Sequence, residues 1–150
     1  MRLGSAILIG FFLFANVTSL PFSTSYIKID KSENRLVYYS YHVPIRSFAV
    51  ATGREHDDTP TGTYTVVMLV KKPWYLKKNI PGGDPNNPLG ERWIGLDVPG
   101  TDGSKYGIHG TNQPELIGQH VSAGCVRMKN EEITWLYDHV QVGTMVEIVE

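Results

Sequence analysis

The chain has 150 residues, room for one hydrophobic core and too few for two of ordinary size. Its 14 basic and 15 acidic residues nearly cancel and form no basic cluster, which excludes nucleic-acid binding through phosphates as its task. One cysteine in the whole chain excludes an internal disulfide scaffold.

The N-terminus carries Arg2 and then an uncharged apolar run, Ala6-Ile7-Leu8-Ile9-Gly10-Phe11-Phe12-Leu13-Phe14-Ala15. A positive start, an apolar core of this length and the small residues Val17-Thr18-Ser19 after it read as a signal peptide or N-terminal anchor over residues 1–25. A buried N-terminal helix is the competing reading. The run is shorter than the roughly 20 apolar residues a spanning helix needs. Export is therefore expected, with the folded domain at 26–150. Arg2 is the only charge before Lys28, so loss of the leader takes the net charge from −1 to −2.

Past the leader, β-branched and aromatic residues dominate. Residues 26–30 alternate as a half-buried strand does, and a turn at Lys31-Ser32-Glu33-Asn34 leads into a second strand at 35–40, predicting a hairpin. Further strands are predicted at 45–51 and 63–70, separated by the turn Thr59-Pro60-Thr61-Gly62. The pairs Lys71-Lys72 and Lys77-Lys78, beside Trp74 and Tyr75, read as a solvated loop rim. Residues 80–90 hold three prolines and three glycines, too many for a strand or helix interior, and predict a long loop. Such loops often border binding sites, and this one is expected to be more mobile than the sheet, with the adjoining Trp93 as an aromatic wall. Residues 93–96 resume strand character. One helix is predicted at 130–140, with Asn130 as its N-cap, Glu131 and Glu132 in its first turn, and Ile133, Leu136, Tyr137 and Val140 on one face. Gly143 turns the chain into a last strand at 144–149. The class is mostly β with one main helix.

The lone thiol sits in Ser122-Ala123-Gly124-Cys125-Val126-Arg127-Met128, sixteen residues after His109 in Ile108-His109-Gly110-Thr111. A lone cysteine in an exported chain is either a small buried hydrophobe or a reactive group. The glycine before it and a histidine within reach favour the second. Thiols attack as thiolates, so a base is needed, and His109 is the candidate. Sixteen residues allow a strand, a loop and a return on a neighbouring strand. Attack on an amide also needs donors for the oxyanion, for which the N–H groups of Gly124 and Cys125 are candidates. Arg127, two positions on, projects to the same side as Cys125 in a strand, to bind a substrate carboxylate or to form an internal salt bridge. His42, His56, His120 and His139 read as structural. The spacing of His109, His120 and Cys125 matches no familiar zinc pattern, and no metal or cofactor is expected.

Together these blocks resemble the L,D-transpeptidase (YkuD-type) catalytic domain family: the histidine block, the Ser-x-Gly-Cys block with Arg127 after it, Thr59-Pro60-Thr61-Gly62-Thr63-Tyr64, Asn87-Pro88-Leu89-Gly90, and the helix leading to Gly143-Thr144. The resemblance covers nearly all of 26–150. It implies a β-sandwich or sheet domain with one C-terminal helix and a long loop near the site. It also implies work on bacterial peptidoglycan, outside the cytoplasm, on stem peptides and without an obligate protein partner. Residue by residue, Cys125 matches the nucleophile, His109 the base, and Gly110 the position whose carbonyl holds the imidazole. Ser122 and Arg127 match supports of the turn and the substrate. Many members carry histidine where this chain has Ala123, which leaves His109 as the base here. The implied reaction expels a terminal D-alanine from a tetrapeptide stem as Cys125 becomes a thioester, then transfers the acyl group to a side-chain amine of a second stem, a 3-3 cross-link. Water as acceptor would make the protein an L,D-carboxypeptidase. A wall-binding protein without turnover and a redox thiol protein are the remaining alternatives; the paired Cys125 and His109 argue against the first and the missing resolving cysteine against the second. Carbapenems are the implied covalent inhibitors.

Overall fold

The computed structural model describes residues 24–56 and 58–150. The leader expected at 1–25 falls almost wholly outside them, but Ser25, assigned to it, opens the first strand. The strands are β1 (Ser25–Asp30), β2 (Arg35–Ser40), β3 (Val43–Ala49), β4 (Thr52–Gly53), β5 (Gly62–Lys71), β6 (Arg92–Leu96), β7 (Gly107–His109), β8 (His120–Ser122), β9 (Val126–Arg127) and β10 (Met145–Val149), with one α-helix, α1 (Asn130–His139). Short 3₁₀ turns at Leu76–Lys78 and Pro114–Leu116 complete the regular structure of the described residues.

Eight strands form one mixed sheet in the order β3-β2-β1-β10-β5-β6-β7-β9, and β4 pairs with β8 beside it. The expected β1–β2 hairpin forms, with Ile27 opposite Tyr38 and Ile29 opposite Leu36. Alternation then does what a period of two must: Ile27, Ile29 and Leu36 are fully buried while Lys28 and Val37 are not. β1 also pairs in parallel with β10, which in turn pairs antiparallel with β5.

The core lies between the sheet and α1, which turns Ile133 and Leu136 into it without remaining exposure. Asn130 is not the N-cap. That place belongs to Lys129, whose side chain makes no capping bond, and Asn130 starts the helix with its amide turned outward to two loops. The strand predicted at 45–51 is β3, which starts earlier, at Val43, and ends at Ala49; Ala51 makes only an isolated bridge to Arg127, and β4 follows beyond the predicted bounds. β7, β8 and β9, each two or three residues long, were below the length at which alternation is readable.

Candidate active site

β7 and β9 lie side by side in parallel, Ile108 opposite Val126 and His109 opposite Arg127. Ile108 and Val126 point into the core, at 0% and 1% exposure. Their neighbours must therefore point the other way. Gly107, His109, Cys125 and Arg127 share that outer face, and His109, Cys125 and Arg127 line one cleft of about 580 Å³. Met68 and Val70 from β5 and Trp93 from β6 extend its floor. Its walls are Pro73, Trp74, Tyr75, Leu76 and Lys77 on one side, Pro88 and Leu89 from the long loop, and Ser104, Lys105, Ser122 and Ala123.

Trp93 sits opposite His109 in the β6–β7 ladder. Their rings stack at 5.4 Å with 16° between planes, and the indole Nε1 donates to the Gly103 carbonyl at 2.9 Å. The wall expected of Trp93 is thus also the floor on which the imidazole lies. Gly107 makes room for it, since a Cβ there would stand 2.8 Å from the indole.

His109 is 4% exposed, and its Nδ1 lies 2.6 Å from the Gly110 carbonyl. A carbonyl only accepts, so Nδ1 carries the proton and Nε2 is left with its lone pair. Burial pushes the imidazole pKa down from 6.5 to about 4, against the Gly110 and Leu89 carbonyls, which favour the protonated ring; the Arg127 charge adds to the lowering. The ring is neutral at pH 7, the form a base requires.

The Cys125 thiol is raised above its ordinary value by burial, opposed by the Gly107 N–H directed at the sulfur and by the charges of Arg127 and Lys77. Its Sγ donates to the Lys105 carbonyl at 3.4 Å. Among the described residues no hydrogen bond joins it to His109, with which it lines the cleft. The resting pair is a neutral thiol and a neutral imidazole on one floor, with the S–H turned toward Lys105. Such pairs commonly tighten only with substrate in place.

The turn before Cys125 corrects one expectation. Ser122 Oγ receives the Gly124 N–H at 3.1 Å and donates to the Cys125 carbonyl at 2.5 Å. The Gly124 N–H is therefore spent inside the turn, while the Cys125 N–H has no partner among the described residues. Gly124 stands at φ +111°, where a side chain would strain the backbone and strike the Tyr106 ring. Arg127 makes no ion pair among the described residues, and its half-buried side chain lines the cleft.

The long loop borders the cleft as expected, but it is pinned. Asn87, 1% exposed, donates from Nδ2 to the carbonyls of Pro73 at 2.8 Å and Pro81 at 3.1 Å, and its Oδ1 accepts from the Leu89 N–H at 2.9 Å. The segment read as a bland lysine rim contributes most of the wall, with Trp74 52% and Leu76 83% exposed. Two large apolar side chains among four lysines were the signal for it. His120 is held elsewhere, against Thr52 and Asn34, and His139 stacks on Trp135.

This sheet, its single helix and a thiol beside a buried neutral imidazole define a cysteine-dependent acyltransferase domain. Residues 24–148 match the model of the YkuD family, the L,D-transpeptidase catalytic domain. The chain belongs to that family. It is 46% identical over 125 residues to the putative L,D-transpeptidase YqjB of Bacillus subtilis, covering 83% of this chain and 71% of that protein. It is 32% identical to the probable L,D-transpeptidase ErfK/SrfK of Escherichia coli, covering 83% of this chain but 44% of that one. The fold is that of L,D-transpeptidase 3 from Mycobacterium tuberculosis, solved with a faropenem-derived adduct, at a TM-score of 0.68 and 19% identity over 85% of this chain and 60% of that one. The catalytic domain of the Enterococcus faecium L,D-transpeptidase superposes at 0.65 with 21% identity, covering 86% of this chain and 99% of that domain.

Proposed function

We propose that the protein is an L,D-transpeptidase that forms 3-3 cross-links in peptidoglycan through a Cys125 thioester. The observation that carries the reading is the shared floor: His109, with Nδ1 fixed on the Gly110 carbonyl, lines the same cleft as Cys125 and Arg127. In the proposed reaction the acyl donor is a tetrapeptide stem, its terminal carboxylate drawn to Arg127. Cys125 turns from Lys105, its proton passes to His109 Nε2, and sulfur attacks the carbonyl between the diamino acid and the terminal D-alanine. The Cys125 N–H is the donor best placed for the oxyanion. Collapse breaks the C–N bond, and the imidazolium returns the proton to the departing amine of D-alanine. The side-chain amine of a second stem then loses a proton to His109 and attacks the thioester, releasing the thiol.

Export to the wall through the segment at 1–25, and covalent inhibition by carbapenems opening on Cys125, belong to the same proposal. The test is mass spectrometry of the enzyme with a tetrapeptide muropeptide. A thioester on Cys125 followed by a dimer of stems is the expected result. Free tripeptide without dimer would make it a carboxypeptidase, and an unmodified Cys125 with intact substrate would overturn the reading.

A further inference from the structure

Asn130 is half-buried at the start of α1. Its Oδ1 accepts the N–H of Thr111 at 3.2 Å and that of Glu91 at 3.2 Å, and its Nδ2 donates to the Thr111 carbonyl at 3.0 Å. The first of these contacts bears on His109 through covalent geometry. The Thr111 N–H and the Gly110 carbonyl are two ends of one planar, trans peptide unit, and they point in opposite directions. Asn130 holds one end; His109 Nδ1 bonds the other at 2.6 Å. The Glu91 N–H is likewise one end of the Gly90–Glu91 unit, which directly follows Leu89, whose carbonyl favours the protonated imidazole.

The two glycines are required by this amide. A Cβ at Gly110 or at Gly90 would collide with Asn130 Oδ1, so both loops are stripped of side chains where the Asn130 amide passes between them. The carbonyl that fixes the imidazole is a backbone group and cannot be braced by a rotamer of its own. A donor–acceptor amide gripping the same peptide unit supplies the brace. It also polarises the unit, because an N–H that donates strengthens the acceptor at the other end.

We infer that Asn130 is a positioning residue for the base: through the Gly110–Thr111 peptide it fixes the tautomer and orientation of His109. This rests on the reading of His109 as the base, and two independent measurements separate the two ideas. The first uses nitrogen-15 NMR of the enzyme alone, without substrate. Wild type should show a protected His109 Nδ1–H, and Asn130→Ala should lose its protection. The second uses the tetrapeptide donor. Asn130→Ala should lower kcat for thioester formation about 10- to 100-fold with KM little changed, as expected when a reacting group is misplaced rather than removed. Asn130→Asp keeps an acceptor for both N–H groups and adds negative charge near the ring. It should retain more activity than the alanine variant and move the acid limb of its pH profile upward. Wild-type kcat and a protected Nδ1–H in folded Asn130→Ala would overturn the inference. So would a wild-type pH profile in Asn130→Asp, should the alanine variant not fold. If wild type itself forms no thioester, the transpeptidase reading fails while the NMR result still decides the role of Asn130.

Discussion

Cys125 and His109 are both held in their neutral forms by burial. Cys125→Ala should abolish thioester formation and cross-linking together. A carbapenem should add one drug mass to wild type and none to that variant, checked by intact-mass spectrometry. His109→Gln should cost about 10² to 10⁴ in kcat/KM, the usual contribution of a general base, measured as the rate of thioester formation. His109 also links folding to pH. The folded pKa of about 4 lies below the ordinary 6.5, so between those values the unfolded chain binds the extra proton. Stability from this group is complete above pH 6.5 and drains away as pH falls through 4, by about 3 kcal/mol at most. Thermal unfolding from pH 7 to 4 should show that loss in wild type and a shallower slope in His109→Gln.

The loop over residues 80–90 and the wall at 73–77 act as one element because Asn87 ties them. Asn87→Ala removes three hydrogen bonds from a buried position and strands the Pro73 carbonyl and the Leu89 N–H, the Pro81 carbonyl keeping the Asp84 N–H, so it should destabilise the fold by about 2 kcal/mol by denaturant titration. Trp74→Ser with Leu76→Ser should do the reverse, raising KM for the stem peptide while leaving the melting temperature nearly unchanged, since both side chains are exposed. Elements of this length show how far a sequence can be read. The β1–β2 hairpin, β5, α1 and the loop were legible because each carries several residues of one period or a density of proline and glycine. That His109 and Cys125 line one cleft was legible from the family blocks. The hydrogen bonding inside the nucleophile turn was not, because whether Ser122 takes the Gly124 N–H depends on a backbone path that glycine leaves open. Asn130 misled for a related reason. Asparagine is favoured at an N-cap, but two bare glycine loops nearby offered its amide better-matched partners.

Across the whole molecule the ends of the domain meet in the middle of the sheet. Lys31, just after β1, is 4% exposed and reaches Asp58 at 2.6 Å and Glu150 at 2.8 Å, so it ties the end of β10 to the segment leading to Thr59. β10 stands between β1 and β5 and is the strand that pairs the block β1 to β3 with the block β5, β6, β7 and β9, whose other backbone link is the bridge from Ala51 to Arg127. The second block carries the whole cleft floor, yet its edge strand β5 is open until β10 arrives. During synthesis, therefore, the strand that joins the two halves is the last of the ten to emerge, and the enclosure that holds the thiol neutral cannot close before it. A chain stopped at Gly143 should remain unfolded, with Cys125 taking up iodoacetamide at the rate of a free peptide thiol, whereas addition of a peptide matching 144–149 should slow that uptake. The order of strands in the sheet thus acts as a clock on reactivity: Cys125 acquires its enclosure only once β10, made after the other nine strands, has joined the sheet.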